Sequence, residues 1–152
     1  MAVVKTKSNL FSDYLSGADN PDPELARGRP IMVQGTVTNL STDSNLSTYA
    51  LAVLPSHAIL GDRTAFDVEN WGFATVNIGT LDDIDALITI AKSSGNTVSP
   101  IAFGDAKHGK RLWEVLGLAA DPGGQITLYA HASAGATGAG SMPFRFEYFD
   151  RS

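Results

Sequence analysis

The side chains that could perform chemistry are few, and their spacing does not suit it. The three histidines, His57, His108 and His131, lie far apart in the sequence, so no short segment offers a metal ion two ligands. Ser56 and His57 are neighbours, but consecutive side chains of an extended chain point to opposite faces. We therefore predict a turn at these two residues, and neither a catalytic site nor a metal site.

An acidic cluster is the second candidate. Asp82, Asp83 and Asp85 could offer oxygen ligands to Ca²⁺, which binds clustered carboxylates. The stretch has no glycine at the sixth position and no bidentate glutamate at the twelfth, as an EF-hand loop would require. We interpret the cluster as a solvated acidic turn, with a Ca²⁺ site as the weaker alternative.

Residues 133–141 are rich in glycine and follow a predicted strand, as a phosphate-binding loop would. No helix follows that could direct backbone N–H groups at a phosphate, and no Gly-Lys-Ser/Thr ending is present. We predict a flexible hairpin connection here. A second turn is predicted at residues 121–124, because Pro122 fixes φ and the two glycines permit a positive φ.

Aromatic side chains could form a stacking platform for sugars or single strands; they are Trp71, Trp113, Phe144, Phe146, Tyr148 and Phe149. Of these, Phe144, Phe146 and Tyr148 alternate onto one strand face, which is typical of a core. Phe149 is the ring that the alternation leaves outside. Since no nucleophile, acid–base pair or metal set has usable spacing, we predict that the protein is not an enzyme and needs no cofactor.

The chain that carries these residues has an apolar period of two from residue 30 onwards. Strands are predicted over residues 31–38, 48–54, 63–69, 73–78, 87–91, 98–103, 125–130 and 144–148. The side chains predicted to face inward include Ile31, Val33, Val37, Tyr49, Leu51, Val53, Phe66, Val68, Ala74, Val76 and Ile78.

One helix is predicted over residues 110–116, about two turns long. Leu112, Val115 and Leu116 form its apolar stripe, and Gly117 is its C-terminal stop. Many short strands with one short helix predict an all-β fold, a β-sandwich. Jelly-roll connectivity is the preferred topology because eight strands fit it, although periodicity does not determine strand order.

Residues 1–29 lack a sustained apolar period, and Pro21 and Pro23 oppose helix and sheet. We predict an extended N-terminal arm there, followed by the sandwich domain over residues 30–152. Within the arm, four apolar side chains share helical spacing, namely Leu10, Phe11, Tyr14 and Leu15. The arm is either a disordered tail or a segment that orders when a partner buries these side chains.

The composition is that of one globular domain, with 152 residues of which 43% are hydrophobic and 18% charged. The absence of cysteine excludes disulfides and thiolate sites. No apolar run approaches the length of roughly 20 residues that spans a bilayer, and Met1–Lys5 lacks a signal-peptide core. We expect a soluble protein with no export signal and no membrane partner.

The net charge of -5 has the wrong sign for gripping phosphate backbones, so we expect no nucleic-acid partner. The whole excess lies in the middle of the chain, where Arg63 and Lys92 are outnumbered by Asp43, Asp62, Asp67, Glu69, Asp82, Asp83 and Asp85. We interpret these acids mainly as solvated loops and outward strand faces; a surface that meets a basic partner is the alternative.

Several segments resemble a known group of proteins: Lys110–Leu118 with Asp121-Pro122, Ile126–Tyr129, Ala132–Gly140, Phe144–Tyr148 and, upstream, Val53–Leu60, Ile78–Thr80 and Asp85–Ile88. They are similar to the small virion proteins of tailed bacteriophages that are described as head decoration or cement proteins. The resemblance covers about residues 30–150, and its motifs are structural. It does not extend to the arm.

The resemblance implies a structural protein that binds the outer surface of the major capsid shell and stabilises the head. Its partner would be the major capsid protein, its oligomeric state a homo-trimer, and its location the outside of the virion after synthesis in the host cytoplasm. The arm residues Leu10, Phe11, Tyr14 and Leu15 suit the adhering role.

The leading alternative is a tail or head-fibre adhesin that binds host-surface carbohydrate, which predicts exposed aromatic and loop-tip polar side chains. A cellular carbohydrate-binding module and an enzyme are weaker alternatives. Decoration predicts instead that mature heads carry many copies.

Overall fold

The computed structural model describes Val3 and residues 29–150. Within 29–150 the chain forms nine strands, a one-turn helix α1 (Leu112–Val115) and a 3₁₀ turn (Lys92–Ser94). The strands are β1 (Arg29–Asn39), β2 (Thr48–Pro55), β3 (Ile59–Leu60), β4 (Ala65–Asp67), β5 (Thr75–Gly79), β6 (Ile88–Ala91), β7 (Thr97–Val98), β8 (Gln125–Ala132) and β9 (Gly140–Asp150). No helix in this part of the chain is long and apolar enough to cross a membrane.

The strands form two antiparallel sheets. The first has the order β1-β9-β4-β7, with β3 also paired to β9, and the second has the order β2-β8-β5-β6. The chain changes sheet between β1 and β2, between β2 and β3, between β4 and β5, and at each step from β6 to β9. The predicted all-β sandwich is confirmed, whereas jelly-roll connectivity stays a prediction.

One core lies between the sheets and draws on both. Phe66 of β4 and Phe146 of β9 meet edge to face with ring centroids 5.4 Å apart. Leu54 and Leu128 face them from the second sheet and are fully buried. The alternation predicted for β1 holds, since Ile31, Val33 and Val37 are half-buried while their neighbours are exposed.

Strand β2 departs from the predicted alternation. Its register against β8 shifts between Ala50 and Ala52, which marks a β-bulge. The extra residue reverses the faces beyond it, so Val53 is 51% exposed and Leu54 is buried. The inward prediction for Val53 is therefore wrong. The one for Ala74 is also wrong, because β5 begins only at Thr75 and Ala74 lies exposed before it.

Two elements are shorter than predicted. Helix α1 has one turn because Arg111 is extended and bridges to Ile59 of β3. Leu112, Val115 and Leu116 are buried, as predicted. The strand predicted over residues 98–103 ends at Val98, and the chain beyond it forms a loop.

The helix ends at Gly117 by the predicted mechanism. Gly117 has φ +80°. Its N–H donates to the carbonyl of Glu114, and the N–H of Leu118 donates to that of Trp113, each at 3.0 Å. This pair of bonds is a Schellman motif, which satisfies the last carbonyls of the helix.

Candidate functional site

The predicted capsid-binding side chains, Leu10, Phe11, Tyr14 and Leu15, lie outside the described residues. The point at which the arm joins the sandwich is described. Arg29, the first residue of β1, pairs with Asp150 at the end of β9. Pro30 of β1 and Ile59 of β3 pair with Phe149 from opposite sides, so β9 separates β1 from β3 at this end of the sheet.

Helix α1 lies at this same end of the sandwich, which we call the α1 end. The N–H of Leu112 donates to the carbonyl of Ala58 at 2.7 Å, and that of Trp113 to Ser56 at 3.2 Å. The guanidinium of Arg111 donates to the carbonyl of His57 at 2.8 Å. These bonds hold the turn after β2 against the helix.

Ser56 and His57 occupy the predicted turn and contact different carboxylates. The buried Oγ of Ser56 donates to Oδ1 of Asp121 at 2.6 Å, and the same oxygen accepts the N–H of Gly123 at 2.8 Å. These two bonds, with Ser56 the larger contributor, lower the pKa of the Asp121 carboxyl. Nε2 of His57 lies 3.0 Å from Oδ1 of Asp150. The serine thus holds the loop at residues 121–124, in which Gly123 and Gly124 have the predicted positive φ.

The acidic cluster forms an exposed loop. We call residues 80–87 the acidic loop; Asp82, Asp83 and Asp85 are exposed there. A hydrogen bond and the negative charge of Asp85 raise the pKa of Asp83, which indicates crowding of like charges. Among residues 29–150, no group of three or more His, Asp or Glu side chains is arranged to hold a metal ion.

The glycine-rich segment does not close a hairpin, so that prediction is wrong. Strand β8 pairs with β2 and β5, whereas β9 pairs with β1, β3 and β4, and the segment between them crosses from one sheet to the other. Side chain and backbone bonds fix it in place. The Asn39 side chain donates to the carbonyl of Gly138 at 2.9 Å, and the N–H of Thr137 donates to that of Gly72 at 2.8 Å.

The aromatic side chains belong mainly to the core, as predicted for the face of β9. Phe144 and Phe146 are buried and Tyr148 is half-buried. Trp71 is buried beside Tyr49, with ring centroids 5.2 Å apart. The remaining two rings, Trp113 and Phe149, are half-buried, so they form no exposed platform.

The exposed aromatic ring that the sequence did not reveal is Phe103. It was predicted to end a strand, yet its side chain is 81% exposed in the loop between β7 and α1. Its ring lies against that of His108, with centroids 4.7 Å apart. We call residues 99–111 the Phe103 loop. Gly104 and Gly109, which directly follow the two rings in the sequence, both have a positive φ that glycine adopts readily.

The Phe103 loop is held by one carboxylate. Asp105 accepts the N–H groups of Ala102 at 3.0 Å, Lys107 at 2.7 Å and His108 at 3.1 Å. These bonds, that of Ala102 foremost, lower the pKa of Asp105. Nζ of Lys107 donates to the carbonyl of Leu87 at 2.7 Å, which places the Phe103 loop beside the acidic loop.

A shallow open depression of about 230 Å³ lies on the outer face of the first sheet. Gln34, Asp67, Thr97 and Arg145 provide the polar part of its lining. Nε of Arg145 is already used, because it donates to the carbonyl of Arg63 at 2.7 Å.

No known protein family, curated protein or solved structure matches this chain.

Proposed function

We propose that this protein is a non-enzymatic virion structural protein, a capsid decoration or cement protein that binds the outer surface of the major capsid shell and stabilises the head. One observation carries the proposal. Four of the segments that resemble such proteins, Val53–Leu60, Lys110–Leu118, Ile126–Tyr129 and Phe144–Tyr148, are far apart in the sequence but meet at the α1 end. Ala132–Gly140 lies at the opposite end, beside Asn39.

The contacts between these segments are backbone bonds and core packing. Leu54 pairs with Ile126, and Leu60 pairs with Tyr148. The N–H of Leu112 donates to the carbonyl of Ala58. A shared set of residues that builds a junction is what related folds retain, so the resemblance is one of architecture and supports a protein that acts through its shape.

The strand orders also fit the proposal. In each sheet, the strand that comes first in the sequence pairs with the strand that comes last: β1 with β9, and β2 with β8. Between them the chain passes repeatedly from one sheet to the other. We propose that this connectivity is a jelly roll, an architecture used in viral capsid proteins. Fold alone does not assign function, so this likeness supports the proposal without carrying it.

The adhesion mechanism assigns separate work to the two parts of the chain. The sandwich is the rigid body, and the arm that precedes Arg29 brings Leu10, Phe11, Tyr14 and Leu15 to the shell. Burying each large apolar side chain stabilises the complex by about 1.5–3 kcal/mol before the ordering entropy is subtracted. In the proposed homo-trimer three arms act together, so that modest contacts sum to firm attachment.

The test is co-sedimentation of the full chain with purified phage heads that lack it. Replacing Leu10, Phe11, Tyr14 and Leu15 together by alanine should weaken binding at least about a hundredfold, since most of the buried apolar area is lost. Deleting residues 1–29 should have the same effect and leave a soluble, folded sandwich. Leu40→Ala is the control, because Leu40 is 66% exposed but lies beyond the far end of β1. Unchanged binding by the arm variants would contradict the proposal.

The second candidate is the tail or head-fibre adhesin that binds host-surface carbohydrate. The exposed ring of Phe103 favours it, since sugars stack on such rings. Mass spectrometry of purified, tail-free heads separates the two functions. A decoration protein will be abundant in that sample, whereas a tail adhesin will be missing from it.

A further inference from the structure

The Phe103 loop is a preorganised surface of aromatic and basic character. Three backbone N–H groups bound to Asp105 fix its course, and the Phe103 ring projects from it against His108. Binding to such a loop costs little ordering entropy. An exposed aromatic ring on a fixed support is typical of the residues that dominate protein interfaces.

The charges of the two neighbouring loops are opposite. The Phe103 loop holds three basic side chains, Lys107, Lys110 and Arg111, against the single carboxylate of Asp105. The acidic loop holds Asp82, Asp83 and Asp85 and no basic residue. It also has exposed apolar side chains, with Leu81 61% and Ile84 44% exposed.

The two loops lie side by side in one molecule but do not cover each other. The Nζ of Lys107 reaches the carbonyl of Leu87, yet Phe103 remains 81% exposed. Lys110 is exposed, and within residues 29–150 it forms no ion pair with the three carboxylates of the acidic loop. Lys107 and Arg111 already donate to the carbonyls of Leu87 and His57, so the Phe103 loop offers a partner the ring of Phe103 and the charge of Lys110. The acidic loop offers Leu81, Ile84 and its three exposed carboxylates.

We propose that these surfaces form a contact between two copies of this chain, in which the Phe103 loop of one copy docks on the acidic loop of the next. The molecule carries both halves of a complementary pair, apolar against apolar and basic against acidic. Asp85 lies close to Asp83 and raises the pKa of the Asp83 carboxyl. A cation from a second copy would stabilise both carboxylates and so relieve this crowding.

The contact is head to tail, so it joins different surfaces of successive copies and closes a ring when the rotation permits. This inference deepens the proposed function, because it assigns the contact that would build the proposed trimer. It does not depend on the shell. Self-association can fail while the arm still binds heads, and the arm can fail to bind heads while the chain still self-associates.

Sedimentation velocity of the full chain across micromolar to millimolar concentrations tests the contact. The native chain should form species heavier than the 16.0 kDa monomer. Phe103→Ala should weaken association at least about tenfold, as loss of an interface anchor does. Leu40→Ala is the matched control, since it also removes an exposed apolar side chain, at the end away from α1, and should leave the mass unchanged.

A charge exchange tests the direction of the contact. Lys110→Glu alone and Asp82→Lys alone should each weaken association, because each places like charges opposite each other. The double variant reverses both partners and should recover association. The proposal is overturned if the native chain stays monomeric at every concentration. It is also overturned if Phe103→Ala and the charge changes leave association unchanged, or if the double variant does not restore the association that the single variants lose.

Discussion

At the residue scale, the bond between Ser56 and Asp121 shows how one buried hydroxyl supports two turns. Ser56 is buried after β2, and its Oγ lies 2.6 Å from Oδ1 of Asp121, 65 residues further along the chain. The same carboxylate oxygen binds the N–H of Gly123. Ser56 and His57 could suggest a nucleophile beside an imidazole, but the Ser56 hydroxyl instead stabilises the fold.

Ser56→Ala should lower the melting temperature by about 3–6 °C at neutral pH, because it removes a hydrogen bond to a charged group from a buried site. Calorimetry measures the change. Ser94→Ala is the control, since Ser94 is exposed and its hydroxyl bonds the uncharged carbonyl of Ala91. An equal loss in both variants would contradict a specific role for Ser56.

The same bond makes a prediction about pH. The folded state lowers the pKa of Asp121 below its ordinary value of 3.8, so the bond contributes fully above that value. Its contribution is lost as the pH falls through the lowered, folded pKa. The difference in melting temperature between the native chain and Ser56→Ala should therefore be constant near neutral pH and shrink below the ordinary value. A difference that grows on acidification would be inconsistent with this linkage.

At the scale of elements, helix α1 depends on its C-terminal glycine. Gly117→Ala should lower the free energy of unfolding by about 1–2 kcal/mol, because an L side chain is strained at its φ of +80°. No atom of the described residues 29–150 lies within 4 Å of the added Cβ, so we attribute the loss to backbone strain. Urea unfolding measures it. Gly135→Ala is the control, with open space and no positive φ, and should be nearly neutral.

The Phe103 loop depends on Asp105 in a similar way. Asp105→Ala removes the acceptor of three backbone N–H groups, and should speed hydrogen exchange at Lys107 and His108 by at least about tenfold. The melting temperature should change little, since the loop lies outside the core. Asp62→Ala, another exposed carboxylate, should leave those exchange rates as they are. Unaltered exchange in Asp105→Ala would show that the loop is held by other contacts.

At the scale of the whole molecule, the two sheets share one core and should unfold together. Phe146 is fully buried and contacts the rings of Phe66 and Phe144, at centroid distances of 5.4 and 5.7 Å. Phe146→Ala should cost about 3–5 kcal/mol of the free energy of unfolding. Fluorescence and circular dichroism should still report one coincident transition.

The matched control for Phe146→Ala is Phe149→Ala, because Phe149 is half-buried on the outer face of the same strand. Phe149→Ala should cost clearly less than Phe146→Ala, since less apolar area is buried there. Equal losses, or separate transitions for the two sheets, would be incompatible with a single shared core.

The sequence by itself determined features that local rules control. The alternation of β1 and β9, the apolar stripe of Leu112, Val115 and Leu116, and the stop at Gly117 all follow from backbone geometry over a few residues. The positive φ of Gly123 and Gly124 follows from residue type in the same way, although residues 121–124 form a loop without a backbone turn bond. The all-β class followed because many such segments agreed.

Only the tertiary structure decided what depends on partners distant in the chain. The bulge in β2 turned Val53 outward because its register is set by β8, and the glycine-rich segment became a crossover because β8 and β9 pair in different sheets. Phe103 is exposed because no part of residues 29–150 outside its loop folds over it. Strand pairing and burial are properties of segments that meet in space, so no local pattern around these residues could fix them.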